Sequence, residues 1–267
     1  MTAATPTVTP GGSHGATWPL RHPWLAAIAL ALAPVVFTAG TSAAAQLSGA
    51  TEAGGALILA GGAAASAALG LAVMRRSPAT LSSYGLRQPA RLRAALWLAP
   101  AALTVLIMLV SQGIHVGGPT LAAYGVLVVA VALNEETWFR GIVLAVLRAR
   151  SVRSAVVGSS VLFGVLHLAN LAGGEDAGAA ILQVVFAALF GLVAAQLVVL
   201  TGSLWPVIVW HAAWNFVSFA GGNTTGPGAT VGIGIAIAAM LAYALLLRRH
   251  LLALTRVETS DEHVAVR

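Results

Sequence analysis

Two adjacent carboxylates and an arginine lie within one apolar stretch of the sequence. Glu136 and Arg140 are four residues apart with the acid first, which is the favourable order for an ion pair on one face of a helix. Glu135 points about 100° away around the same helix, so it does not share that face. The spacing predicts a structural Glu136–Arg140 pair and leaves Glu135 as an unpaired, functional carboxylate.

Two histidines lie in other apolar stretches. His167 follows Phe163 by four residues on one helical face, and Asn170, one turn later, is a candidate partner for the imidazole. His211 precedes Asn215 by four residues, so an imidazole and an amide point toward the same region of space. Polar groups of this kind inside a membrane are costly and therefore indicate function.

These groups could together carry out hydrolysis. With about 1.5 Å of rise per residue, Glu135, His167 and His211 lie roughly 20, 21 and 15 Å from the same side of the membrane. A carboxylate and an imidazole can hold and deprotonate a water, while a second imidazole and the Asn215 amide can donate to an oxyanion. Alternatively, Glu135, His167 and His211 could bind a zinc ion that activates the water. The sequence has no His-Glu-x-x-His motif, so the zinc alternative rests on dispersed ligands.

The composition indicates a membrane protein. Of 267 residues, 58% are hydrophobic and 8% are charged, whereas soluble domains carry about 25% charged residues. A soluble globular protein is excluded, and the continuous apolar runs also argue against a membrane β-barrel. The chain has no cysteine, which excludes disulfides, a thiol nucleophile and thiolate metal sites.

Eight apolar runs predict an all-α membrane protein, a polytopic bundle of about eight transmembrane helices. A disordered N-terminal tail is expected at 1–23, the transmembrane domain at 24–250 and a cytoplasmic C-terminal tail at 251–267. The predicted spans are 24–45, 55–74, 94–112, 119–147, 154–173, 178–200, 203–220 and 230–247.

The arginines predict the orientation of this bundle. All fourteen basic residues are Arg, and with the N-terminus in the cytoplasm every Arg outside the helices from residue 21 to 249 falls on the cytoplasmic side. The opposite loops contain Glu52, His115, Glu175 and Asp176 but no Arg. We therefore expect both termini to be cytoplasmic. The scattered pattern indicates topology and contact with anionic lipid, and it argues against a nucleic-acid partner.

Three motifs, in this order and each on a predicted span, resemble those of the CPBP intramembrane endopeptidases. That family includes the type 2 CAAX prenyl proteases, the Abi proteins and the lysostaphin-resistance-protein-A-like proteins. The resemblance covers about residues 119–220 and implies an eight-helix protease that cuts peptide bonds near the membrane. The motifs are Glu135-Glu136-x-x-x-Arg140, Phe163-x-x-x-His167 and His211-x-x-x-Asn215.

The resemblance also implies roles for individual residues. Glu135 and His167 would activate the water, and His211 and Asn215 would form the oxyanion site. Members of the family have been described as metalloproteases and as metal-independent glutamate proteases. We favour the metal-free form, with zinc as the alternative, because Asn215 suits oxyanion binding better than zinc ligation. The supporting residues would be Glu136, Arg140 and Phe163.

Two other classes of function stay open at this point. A proton- or ion-coupled transporter would also place Glu and His within the membrane, although the sequence shows no inverted repeat. A non-catalytic immunity or scaffold protein would keep the fold without needing Glu135. For the protease, the expected substrate is a membrane-associated peptide or protein, prenylated or hydrophobic. The Ala- and Arg-rich, Lys-free composition is typical of a GC-rich bacterium, so we expect the bacterial cytoplasmic membrane; the oligomeric state stays open.

Overall fold

The computed structural model describes residues 18–89, 96–174, 176–222 and 226–265. Within these ranges the regular elements are all helices, which confirms the predicted all-α class. The α-helices are α1 (Trp18–Arg21), α2 (Pro23–Leu47), α3 (Glu52–Arg76), α4 (Ala99–Gln112), α5 (Gly118–Glu135), α6 (Leu144–Arg148), α7 (Val152–Leu166), α8 (Ala177–Thr201), α9 (Trp205–Ala220) and α10 (Pro227–Ala265). A π-helical segment, Glu136–Val143, joins α5 to α6, and 3₁₀ segments occupy Leu81–Tyr84 and His167–Gly173.

Six helical stretches of the described chain are long and apolar enough to cross a membrane. With the shorter helices α4 and α9 they make a bundle of eight, as the sequence predicted. The protein is therefore a multi-pass membrane protein. The six stretches are Pro23–Leu47, Glu52–Arg76, Gly118–Arg148, Val152–Leu171, Ala177–Thr201 and Pro227–Ala253.

Short polar side chains cap several of these helices, which begin one to three residues before the predicted spans. The Thr51 hydroxyl accepts a hydrogen bond from the backbone of α3, and the Ser151 hydroxyl does the same for α7. The Asp176 carboxylate accepts from two backbone N–H groups at the start of α8. Each cap satisfies donors that a helix leaves free in its first turn. Gly202, with a φ of 66°, ends α8 in the left-handed conformation that suits glycine.

The structure differs from the predicted boundaries at the two ends of the chain. Residues 1–17 of the predicted N-terminal tail lie outside the described residues, but α1 already begins at Trp18. At the other end, α10 continues through the predicted tail as far as Ala265. The cluster Arg248-Arg249-His250 does not end α10, because Arg and His are compatible with a helical backbone. These residues mark where the helix leaves the membrane, and the helix itself continues.

Small residues allow the helices that carry the site to approach one another closely. A Cβ on Gly164 of α7 would lie 2.7 Å from the Val184 carbonyl oxygen of α8, so α7 and α8 pack at a distance that only glycine permits there. Many of the buried side chains are alanines, which is typical of helix contacts in membranes. Large aliphatic side chains lie instead on the outside, for example Val36 and Val110. The outer surface is therefore suited to lipid.

Candidate active site

The π-helical segment is the most buried part of the predicted active region. All eight of its residues, Glu136–Val143, are buried. A π segment shifts the backbone hydrogen bonds to i→i+5 partners and is frequent at functional sites. The sequence predicted one continuous helix here, since nothing in its hydropathy distinguishes a π segment from an α-helix. The segment turns Glu136 and Arg140 toward the interior of the bundle.

Glu136 receives two hydrogen bonds on a single carboxylate oxygen. Its Oε1 accepts from Arg140 Nη1 at 3.1 Å and from His211 Nδ1 at 2.7 Å. The predicted Glu136–Arg140 ion pair is thus present, and both side chains are fully buried. The guanidinium carbon of Arg140 also lies 4.0 Å from the centroid of the Phe163 ring, close enough for a cation–π interaction. The carboxylate of Glu136 and the ring of Phe163 thus stabilise the buried guanidinium of Arg140, which water does not reach.

His211 lies between the two adjacent carboxylates. Its Nδ1 faces Glu136, and its Nε2 lies 3.5 Å from Glu135 Oε2. The prediction that Glu135 is unpaired is therefore wrong: helical spacing separates the two carboxylates, but an imidazole from α9 reaches both with its two nitrogens. Because a carboxylate only accepts, the proton on Nδ1 is donated to Glu136. The other ring nitrogen of His211, Nε2, therefore faces Glu135.

Glu135 differs from Glu136 in its access to the interior space of the protein. Its side chain keeps 23% of its surface exposed, whereas that of Glu136 keeps 0%. Glu135 lines a cavity of about 450 Å³ between α2, α3, α5, α7 and α8. His167 lines the same cavity. The structure therefore brings a carboxylate and an imidazole from two different helices to one open space.

His167 is the first residue of the 3₁₀ segment that follows α7. Its Nδ1 donates to the Phe163 carbonyl oxygen at 2.7 Å, so in the neutral ring Nε2 carries the free lone pair. Asn170 was the predicted partner of this imidazole, but the Asn170 amide instead donates to Gln183 Oε1 at 2.7 Å. The backbone of α7 orients the ring, and Nε2 is left available as a base.

Phe163 connects the two histidines. Its ring centroid lies 4.8 Å from that of His167 and 6.1 Å from that of His211, both in edge-on contact. The same ring contacts Arg140 and lines the cavity. Asn215 lies on α9 one turn after His211 and is half-buried. It does not border the cavity in the described structure.

The zinc alternative can be tested against the donor set. In the described ranges, no group of three His, Asp or Glu side chains converges closely enough to hold a metal ion. Glu135 and His211 are close together, but His167 does not complete a cluster with them, and Nδ1 of His211 is engaged by Glu136. Among the described residues, the predicted zinc ligands are therefore not assembled as a metal site.

Three residues of this region were not singled out from the sequence. Asn134 is buried, borders the cavity, and has a side-chain oxygen without a hydrogen-bond partner among the described residues. Gln183 borders the cavity from α8. Gly191 makes room for Arg140, since a Cβ there would lie 2.9 Å from Arg140 Nη2. Polar residues within apolar runs signal the first two, but the role of Gly191 depends on packing alone.

With the geometry in place, comparison with known families is informative. Residues 117–217 match the family model described as type II CAAX prenyl endopeptidase, Rce1-like. The match covers less than half of the chain and supports the resemblance to the CPBP intramembrane proteases. No curated protein and no solved structure matches the chain.

The matched range contains every predicted site residue, from Glu135 to Asn215. Its limits agree with the range of 119–220 over which the sequence resembled the family. Helices α2 and α3 lie outside the matched range, yet they supply one wall of the cavity. The matched range alone therefore does not build the complete cavity, and the N-terminal helices are part of the candidate site.

Proposed function

We propose that this protein is an intramembrane endopeptidase in which Glu135 and His167 activate a water for hydrolysis of a peptide bond. The observation that carries the proposal is that these two side chains border one cavity, while the neighbouring Glu136 is sealed in an ion pair. The match to the Rce1-like family model supports the broader assignment to proteases. The composition favours the cytoplasmic membrane of a bacterium.

The proposed reaction needs a base and an acid at the same place. The water oxygen attacks the carbonyl carbon of the scissile bond while its proton passes to Glu135 or to Nε2 of His167. The carbonyl oxygen becomes an oxyanion in the tetrahedral intermediate. The C–N bond then breaks as the stored proton is delivered to the amine nitrogen, and the products are a carboxylic acid, which keeps the second proton of the water, and an amine.

His211 and Asn215 are proposed as the groups that stabilise the oxyanion. Because Nδ1 of His211 donates to Glu136, donation from Nε2 requires a proton on both ring nitrogens. The amide of Asn215, one turn away on α9, would supply the second donor after a small movement toward the cavity.

The proposed enzyme uses no cofactor, and its substrate is a membrane-associated peptide or protein with a hydrophobic or prenylated segment. The cavity is lined largely by apolar side chains together with a few carboxamides and hydroxyls, which suits a peptide with apolar side chains and a polar backbone.

The test is cleavage of a library of membrane-associated reporter peptides by the purified full-length protein. The arms are wild type, Glu135→Ala and the control Glu52→Ala, each with and without a chelator. Glu52 is an exposed acid that accepts a hydrogen bond from Tyr124 and takes no part in the site. Cleavage that is lost only in Glu135→Ala and kept with chelator supports the proposal. Loss with chelator would overturn its metal-free part, and a folded wild type that cuts no peptide would contradict it altogether.

A further inference from the structure

The bundle has one end at which its arginines gather, here called the arginine end. The side chain of Arg87 donates to the Gly202 carbonyl at 2.8 Å, and the backbone N–H of Leu204 donates to the Gly85 carbonyl at 2.8 Å. These contacts place the loop after α3 against the α8–α9 connection. The Trp97 ring lies 4.8 Å from that of His250, which brings the start of α4 to the charged part of α10.

The remaining helix ends agree with this direction. A Cβ on Gly158 would lie 2.7 Å from Leu147 and 2.8 Å from Trp24, so the beginnings of α2 and α7 and the end of α6 share the arginine end. With the exception of Arg140, every arginine whose side chain the structure describes lies at or next to it. These are Arg21, Arg75, Arg76, Arg87, Arg148, Arg150, Arg153, Arg248 and Arg249.

The opposite end, here called the arginine-free end, carries acidic side chains. The backbone N–H of His115 donates to the Ala220 carbonyl at 2.8 Å, joining the ends of α4 and α9. The Tyr124 hydroxyl donates to Glu52 Oε1 at 2.5 Å, joining the starts of α5 and α3. Because arginine-rich loops stay in the cytoplasm, the arginine-free end faces the extracytoplasmic side.

The cavity lies in the half of the bundle nearer to the arginine-free end. On α2 its lining runs from Pro34 to Gln46, one residue before the helix ends at Leu47. Phe219 borders it one residue before the end of α9. Among the lining residues of α7 and of the π segment, Phe163 and Phe139 lie nearest to the arginine end. These phenylalanines form the floor, and Glu135 lies just above them.

Polar side chains follow the cavity from its mouth toward this floor. Thr38, Ser42 and Gln46 of α2 are spaced four residues apart and all border the cavity, so they form a polar stripe along one face of this helix. Asn170 and Gln183 border it as well and are hydrogen-bonded to each other. Hydroxyls and carboxamides can pair with the N–H and C=O groups of an extended backbone, which a lipid tail does not possess. The lining therefore suits a polypeptide.

We propose that the substrate is the extracytoplasmic, membrane-proximal segment of a membrane protein, which enters the cavity in extended form from the arginine-free end. The inference rests on the proposed protease function and specifies the side from which the scissile bond arrives. A cytoplasmic segment would instead meet the arginine end, on the far side of the phenylalanines Phe139 and Phe163 that border the cavity.

The access route can be measured without any activity, because the chain contains no cysteine. Single variants Ser42→Cys and Gln46→Cys place a thiol in the polar stripe, and the control Ala79→Cys places one at an exposed position of the arginine end. Intact cells are treated with a membrane-impermeant maleimide before and after permeabilisation. The stripe thiols are expected to react in intact cells and Ala79→Cys only after permeabilisation. The reverse pattern would overturn the inference.

The substrate side is then tested with two reporters that carry one identical cleavable segment on opposite sides of a single transmembrane span. Cells contain either wild type or Glu135→Gln. Cleavage of the extracytoplasmic reporter alone, lost in Glu135→Gln, is the expected result. Cleavage of the cytoplasmic reporter alone would overturn the inference and leave the protease function standing. Cleavage of neither, with the labelling as expected, would overturn the protease function and this inference with it.

The polar stripe has its own readout in the kinetics. Ser42→Val removes a polar group that borders the cavity, whereas the control Ala44→Val changes an exposed residue of α2 that does not border it. For the extracytoplasmic reporter, Ser42→Val is expected to raise KM several-fold with little change in kcat, and Ala44→Val to change neither. Equal kinetics for the two variants would contradict a role of the stripe in binding the substrate backbone.

Discussion

Replacing Glu136 by glutamine should destabilise the whole protein, because it removes one charge of a pair that is buried completely. Glu136 Oε1 and Arg140 Nη1 are 3.1 Å apart, and both side chains are 0% exposed. At an effective dielectric constant of about 20, the attraction over that distance is roughly 5 kcal/mol. Breaking a buried pair by removing one partner typically costs about 3–5 kcal/mol. We expect Glu136→Gln to lose stability of this order.

The assay is thermal unfolding of the detergent-purified protein, followed by tryptophan fluorescence. A loss of about 3–5 kcal/mol corresponds to a midpoint lower by roughly 6–20 °C for a chain of this size. The matched control is Glu135→Gln, whose carboxylate is 23% exposed and 3.5 Å from its partner; its midpoint should fall by no more than the equivalent of about 1 kcal/mol.

A double variant separates the unpaired charge from other effects. Glu136→Leu with Arg140→Met leaves no buried charge alone, so it should be more stable than Glu136→Leu by itself. The reasoning would be refuted if Glu136→Gln unfolded at the temperature of wild type, or if the double variant were no more stable than the single one.

Two further predictions concern packing around the site. Gly191→Ala would bring a Cβ to 2.9 Å from Arg140 Nη2, so it should lower the free energy of unfolding by about 1–3 kcal/mol. The control Gly61→Ala has nothing within 4 Å of the added Cβ, so its unfolding midpoint should be unchanged or slightly higher. Equal midpoints for the two variants would contradict this packing. Trp138→Phe removes an N–H that lies 3.1 Å from both the Ser66 carbonyl and the Ser66 hydroxyl and should cost about 1 kcal/mol; an unchanged midpoint would show that this hydrogen bond contributes nothing.

Hydropathy was sufficient to predict most of the membrane-crossing helices. The span predicted at 178–200 is observed as Ala177–Thr201, and the one predicted at 119–147 as Gly118–Arg148. The agreement has a physical cause: a backbone in lipid must satisfy its hydrogen bonds within a helix, so apolar length translates directly into helix length. The π segment could not be predicted in this way, because its shifted hydrogen bonds leave no mark on composition.

The sequence predicted which residues form the candidate site better than it predicted which of them contact one another. Spacing of four residues was enough to predict the Glu136–Arg140 pair, because it lies within one helix. The contact of His211 with both Glu135 and Glu136 was missed, since it joins α9 to α5 across the bundle. The cavity wall formed by α2 was also missed. Its polar stripe has helical spacing in the sequence, but only the packing of α2 against α3 and α7 places that stripe on a cavity.

The most direct test of the proposed mechanism is the cleavage rate of Glu135→Gln compared with wild type, under conditions in which both proteins unfold at the same temperature. Glutamine keeps the shape of the side chain and removes its ability to take a proton. A general base of this kind typically contributes about 10²–10⁴-fold to the rate, so we predict a loss of kcat in that range with KM little changed. A Glu135→Gln variant that cleaves within a few-fold of the wild-type rate would contradict the account.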